Sequence, residues 1–129
     1  NFKRINDVYG HDIGDEFIKH FGKALSSSLR DTDIIARIGG DEFVVLLTKM
    51  STSVDKRNRQ IEQAIRRIQE VLRNGWIIDG NYFSPTSSIG IACYPEDGKE
   101  ISTLLDKADT ALYYAKRVSG KDSYHYADN

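Results

Sequence analysis

Asp41 and Glu42 stand side by side behind two glycines, in the run Gly39-Gly40-Asp41-Glu42-Phe43. Adjacent carboxylates offer hard oxygen donors of the kind Mg²⁺ takes when it also holds phosphate oxygens. The flanking sequence says how such a pair is presented. Asp33-Ile34-Ile35-Ala36-Arg37-Ile38 is apolar and β-branched, and Phe43-Val44-Val45-Leu46-Leu47 reads as a buried strand closed by Thr48 and Lys49. The pattern predicts a hairpin with the acidic pair at its tip. Its glycines supply turn dihedrals and keep side chains out of a ligand's way, and a rigid tip suits metal-assisted phosphate chemistry.

Other elements must carry this hairpin. Between Asp15 and Leu29, Phe17, Ile18, Phe21, Ala24, Leu25 and Leu29 fall three and four apart, the spacing of one helix face, with Asp15 near its start. Val54, Ile61, Ala64, Ile65, Ile68, Val71 and Leu72 mark a long amphipathic helix that Asn74-Gly75 ends. Trp76-Ile77-Ile78 and Tyr82-Phe83 predict a small hairpin around Asp79-Gly80-Asn81, and a further strand is expected from Ser87 to Tyr94. Ser102 is placed to cap a last helix running to about Arg117 and burying Leu104, Leu105, Ala108, Leu112 and Ala115. Ser123-Tyr124-His125-Tyr126 closes the chain as a short strand. Helices and strands in this alternation indicate an α/β fold, an α+β sandwich with a mixed central sheet flanked by helices.

Composition narrows the function classes. The 129 residues hold 18 Lys and Arg against 19 Asp and Glu, a formal net charge of -1. A nucleic-acid polymer is therefore not the expected partner, since duplex binders carry a basic surplus. Cys93 is the single cysteine, which rules out an internal disulfide and fits a reducing, cytoplasmic setting. No apolar run has the length of a membrane span, so no membrane contact by this domain is expected. His11, His20 and His125 form no metal or triad spacing. Because the chain opens on Asn1 rather than methionine, it is expected to be a piece of a larger protein.

Further motifs lie in order along the chain: Phe2-Lys3, Ile5-Asn6-Asp7, Gly10-His11, Gly14-Asp15, Arg30 with Asp33, Ser88-Ile89-Gly90-Ile91-Ala92, and Ala108-Asp109 with Ala111-Leu112-Tyr113. Together with Gly39-Gly40-Asp41-Glu42-Phe43, they give a chain that resembles, essentially end to end, the GGDEF domain of bacterial diguanylate cyclases. The resemblance implies a palm-like nucleotidyl cyclase architecture, with residues 1–129 as one GGDEF domain of a multidomain protein. It also implies a buried strand ahead of Phe2, outside this sequence, bearing an aspartate that shares metal binding with the hairpin.

The activity implied is condensation of two GTP into cyclic di-GMP and two pyrophosphates, with Mg²⁺ or Mn²⁺ as cofactor. Asp41 fits the family's metal ligand and candidate base, and Glu42 its supporting carboxylate; which one takes the proton is open. Lys3 corresponds to a lysine that contacts the triphosphate or the charge developing in transfer, while Phe2, Gly39 and Gly40 border the substrate. Asn6 and Asp15 are candidates for guanine recognition, because one carboxylate can accept both N1–H and the 2-amino group, a donor pair that adenine lacks. The plainer reading makes Asn6 a turn cap and Asp15 a helix cap. Lys116, Arg117 and Lys121 are candidates for the β- and γ-phosphates. The family pattern is a lysine, two residues, glycine and a basic residue, and Lys116-Arg117-Val118-Ser119-Gly120-Lys121 has one residue more.

Arg30 and Asp33 occupy the position of the family's inhibitory site. An arginine clamps phosphate or stacks on a purine, and an aspartate accepts a guanine edge, so cyclic di-GMP is expected as inhibitor as well as product. A second arginine from the long helix is left open among Arg57, Arg59, Arg66 and Arg67. One domain has one acidic hairpin and one guanine pocket, so catalysis is expected to need a homodimer. The alternatives are a silent GGDEF module that binds GTP or cyclic di-GMP and regulates a neighbouring domain, and a cyclase acting on one nucleotide.

Overall fold

A computed structural model describes residues 2–119 and 122–127, with the side chains of Phe2, Lys3, Val118 and Ser119 outside that description. The chain forms two compact units, Asn1–Pro85 and Thr86–Asn129.

In the first unit, α1 (Phe2–Tyr9) and α2 (His11–Ser27) are joined at Gly10, followed by β1 (Ile34–Gly39), β2 (Glu42–Leu46), α3 (Val54–Asn74), β3 (Trp76–Ile78) and β4 (Asn81–Phe83). The helix expected from Asp15 begins instead at His11, because Gly10 breaks the chain at φ 93° while Gly14 is absorbed, buried, inside the helix. Asp15 therefore lies in the second turn and does not cap it. The apolar stripe of α2 does its expected work: Phe17 and Ile18 pack with Ile78 and Phe83, and Ala24 and Leu25 pack with Ile68 and Leu72 of α3. Leu72 keeps only 1% of its surface. The rings of Phe17 and Trp76 approach to 5.3 Å, and Phe17 meets Phe83 edge to face at 5.5 Å. Aromatic contacts of this kind add about 0.5–1.5 kcal/mol to burial. α3 ends at Gly75 as its sequence requires.

β1 and β2 pair antiparallel, Ile35 opposite Val45 and Gly39 opposite Glu42, with a register shift between Arg37 and Gly39. β2 starts one residue earlier than expected and is half-buried rather than buried, with Leu46 39% exposed. β3 and β4 form the expected small hairpin, in which Ile77 and Tyr82 face each other.

The second unit contains β5 (Ser88–Ile91), α4 (Ile101–Tyr114), a π turn (Ala115–Ser119) and β6 (Ser123–Tyr126), with β5 and β6 parallel. β5 is shorter than expected, since the chain turns after it and the Cys93 N–H donates to the buried Asp97 carboxylate at 2.7 Å. Glu100, not Ser102, precedes the first turn of α4. The helix buries Ala111, half-buries Leu104, Ala108 and Leu112, and leaves Leu105 39% exposed, contrary to expectation, while Ala115 is buried in the π turn that follows. Gly90 explains that choice of face, because the backbone of Ala108 and Leu112 lies directly against it.

Strand pairing is thus both parallel and antiparallel, in three two-stranded ladders rather than one continuous sheet among the described residues. No described helix is long and apolar enough to cross a membrane.

Candidate functional site

The acidic hairpin comes first. Gly40 turns the chain at φ 51°, a left-handed value that a side chain disfavours. The Arg37 Nε–H donates to its carbonyl at 2.9 Å, fixing the turn from behind. Asp41 sits in the turn and Glu42 opens β2; both are exposed, and no hydrogen bond or ion pair to another described residue engages either carboxylate. Phe43 anchors the tip, stacking on Phe21 of α2 with centroids 5.3 Å apart and planes 22° from parallel. Among the described residues no group of three or more His, Cys, Asp or Glu side chains gathers as a metal site. Two exposed oxygen donors fit Mg²⁺ in the way that ion is commonly held, by one or two carboxylates with the remaining positions left to water and substrate phosphates.

Asn6 and Asp15 lie in the same unit, on α1 and α2. Asn6 Oδ1 is buried and has no hydrogen-bond partner, which leaves an acceptor unsatisfied where burial makes that costly. Asp15 is exposed. Six residues separate it from Phe21, about 9 Å along the helix axis, so the acidic tip and Asp15 share α2 as a common support. Phe2 and Lys3 fall in the first turn of α1, but their side chains lie outside the described residues, as does Lys121 entirely.

Arg30 and Asp33 meet at the base of the hairpin. Asp33 Oδ2 accepts from the Arg30 backbone N–H at 2.9 Å and from Arg30 Nε at 3.3 Å. Its Oδ1 accepts from Arg30 Nη2 and from the Thr48 N–H, each at 3.1 Å. A carboxylate offers about four acceptor sites, so this one is saturated, and the expected acceptance of a guanine edge by Asp33 is not available to it in this arrangement. Arg30 Nη2 also donates to the Thr48 carbonyl. The Asp33 side chain is 1% exposed. Burial pushes its carboxyl upward, yet the hydrogen bonds from the Arg30 side chain and from the Arg30 and Thr48 backbone, with the guanidinium charge, hold it below its ordinary value of 3.8.

That shift fixes a sign. Above the unfolded-state value both states are ionised and the stabilisation is complete; as pH falls through the lower folded value it is lost. Asp33→Asn should lower stability at neutral pH by about 1–3 kcal/mol and flatten the acid-side loss below pH 3.8, as read by denaturant unfolding across pH. An unchanged acid profile would contradict the role given to Asp33.

Arg30 and Asp33 also line a cleft of about 170 Å³ with Leu47, Met50, Gln60, Gln63, Ala64 and Arg67. Of the four arginines left open by sequence, Arg67 is the one lining it, with its Nε donating to the Ser28 carbonyl at 3.1 Å. The signal was there in helical spacing, since 60, 63, 64 and 67 share one face of α3, but nothing in the sequence showed that this face meets Arg30.

In the second unit, the extra residue at the basic end has a structural counterpart. α4 runs into a π turn over Ala115–Ser119, and a π turn takes one more residue than an α turn. Ser123 Oγ donates to the Ala115 carbonyl at 3.0 Å, satisfying a group at the start of that turn. Lys116 and Arg117 are exposed, and the Arg117 guanidinium lies 5.1 Å from the centroid of the Tyr113 ring.

A mixed helix-and-strand fold carrying a glycine-turned acidic hairpin is that of a palm-like nucleotidyl cyclase domain. The family model described as diguanylate cyclase, GGDEF domain, matches residues 1–122, and the chain belongs to this family. The GGDEF domain of TpbB from Pseudomonas aeruginosa superposes with a TM-score of 0.89 at 34% identity, covering 100% of this chain and 77% of that one. By sequence the diguanylate cyclase TpbB is 40% identical over 116 residues, 90% of this chain and 26% of its own length. The signaling protein YkoW of Bacillus subtilis is 38% identical over 97% of this chain and 15% of its own length. The cyclic di-GMP phosphodiesterase NbdA of Pseudomonas aeruginosa is 37% identical over 98% of this chain and 16% of its own length. The chain thus spans about a quarter or less of these three curated relatives.

Proposed function

We propose that this domain is a diguanylate cyclase, joining two GTP into cyclic di-GMP with release of two pyrophosphates. The observation that carries the reading is the Asp41–Glu42 pair, presented at a rigid tip and engaged by no other described residue. In each half-reaction a 3′-oxygen loses its proton, forms a bond to an α-phosphorus, and the bond from that phosphorus to the β-phosphate bridge breaks, releasing pyrophosphate. Asp41 is assigned to take or relay the proton and, with Glu42, to hold Mg²⁺ or Mn²⁺. When bound, that ion would lower the hydroxyl pKa and neutralise the phosphates. The unsatisfied Asn6 Oδ1 and the exposed Asp15 carboxylate are assigned to the donor edge of guanine, and Lys3, Lys116, Arg117 and Lys121 to the triphosphate. Phe2, Gly39 and Gly40 border it.

Two phosphodiester bonds with one acidic tip per domain call for two domains facing each other about a two-fold axis. Turnover per protein should therefore fall on dilution below the dimer's dissociation constant. Base choice tests the assignment further: GTP should yield product and ATP none, and Asp15→Ala should weaken this preference about 10²-fold or more, since a site built to accept hydrogen bonds loses most of its discrimination without them. Equal use of both nucleotides would point to a different cyclase chemistry. The alternative, a regulatory module that binds nucleotide without synthesis, rests on the similarity to NbdA, a protein named as a cyclic di-GMP phosphodiesterase, and predicts GTP binding with no product.

Product feedback is proposed at the Arg30 cleft. Arg30 and Arg67 supply the positive charge for cyclic di-GMP phosphates, and Gln60 and Gln63 supply amides for base edges. Asp33 holds Arg30 in place. Arg30→Ala should leave the initial rate near wild type and raise the product concentration at which synthesis stops about tenfold or more, the loss of one charge-assisted contact. An unmoved stopping point would remove the site.

A further inference from the structure

We infer that Tyr113 is a positioning residue for phosphate binding: its ring holds the Arg117 guanidinium at the π turn, making Arg117 rather than Lys116 the organised cation at this end of the chain. The inference rests on the assignment of this basic segment to the triphosphate and adds which side chain is set in advance, and by what.

Tyr113 and Arg117 stand four residues apart, the separation that brings helical side chains together. The guanidinium lies over the ring at 5.1 Å, inside the range for cation–π attraction. Tyr113 is itself steadied by an edge contact with Tyr114 at 5.8 Å, and Tyr114 by His125 of β6 at 5.8 Å. The backbone below is equally fixed. Ala115 is 0% exposed and its carbonyl accepts from Ser123. Lys116 is exposed and has no such support among the described residues. A cation–π contact uses none of the guanidinium's N–H donors, so the fork that matches a phosphate bidentately is retained. The contact thus holds the cation without consuming the donors a phosphate needs. The π turn that ends α4 carries Arg117 beside the ring.

Steady-state kinetics with GTP and calorimetric binding of inorganic tripolyphosphate with Mg²⁺, both on the full-length protein, test this. Tyr113 is 53% exposed, so replacing it should leave the fold intact. Tyr113→Leu should raise KM for GTP and the tripolyphosphate dissociation constant about two- to fivefold, the worth of an exposed cation–π contact, with kcat unchanged. Tyr113→Phe, which keeps the ring, should restore wild-type values. In an Arg117→Ala background, Tyr113→Leu should have no further effect. The inference is overturned if Tyr113→Phe is as impaired as Tyr113→Leu, if the Tyr113→Leu effect persists without Arg117, or if the wild-type protein does not bind tripolyphosphate. If tripolyphosphate binding follows this order while no cyclic di-GMP forms, the inference stands and the synthase reading alone fails.

Discussion

Asp41→Asn is expected to reduce cyclic di-GMP formation by about 10²–10⁴-fold, the range over which a positioned proton-transfer group contributes, while GTP binding persists. Asparagine keeps the size and polarity of the side chain and removes its charge. It can neither take the proton of the attacking hydroxyl nor offer the metal a charged oxygen. Because Asp41 is exposed and engaged by no other described residue, its loss should leave the unfolding midpoint unchanged. Product quantification, nucleotide binding and a thermal melt on the same preparation separate these effects. Unchanged synthesis would remove Asp41 from the mechanism, and a collapsed melt would make it structural.

Gly90→Ala is expected to be strongly destabilising for so small a substitution. A Cβ at Gly90 would lie 2.0 Å from the Ala108 carbonyl oxygen and 2.4 Å from the Leu112 nitrogen. Both are backbone atoms of α4, so no side-chain rotation relieves the overlap, and α4 must move away from β5. Overpacking ordinarily costs about 1–3 kcal/mol, and a backbone clash this close should reach or exceed the top of that range. Against a total stability of about 5–15 kcal/mol, the melting temperature should fall by roughly 10 °C. Gly39→Ala is the control, since a Cβ there meets nothing within 4 Å; its unfolding midpoint should stay close to wild type. Equal stability of the two variants would contradict the packing of α4 on β5.

The contrast between these glycines shows what the sequence can and cannot say. The Gly39-Gly40 turn was legible because apolar, β-branched runs flank it on both sides, and α3 was legible because Ile61, Ala64, Ile65, Ile68 and Leu72 repeat at helical spacing. α1 was not: Asn6 read as a turn cap, and the helix is supported by packing of Ile5 on the Phe17 cluster and by Tyr9 meeting Phe83 at 5.3 Å. The saturation of Asp33 was equally hidden, because one of its donors, Thr48, lies 15 residues away across the hairpin. Charge at the Arg30 position was legible; the meeting of α3 with it was not. The extra residue beside Lys116 was visible as a departure, and only the backbone shows that a π turn accompanies it.

The measurement that tests the central claim most directly is mass spectrometry of the products formed when the full-length protein is incubated with GTP and Mg²⁺, beside the Asp41→Asn variant. Cyclic di-GMP and pyrophosphate from the wild-type protein, and neither from the variant, are the predicted result. A folded, dimeric, GTP-binding wild-type protein that forms no cyclic di-GMP would contradict the account and identify the domain as a regulatory nucleotide-binding module.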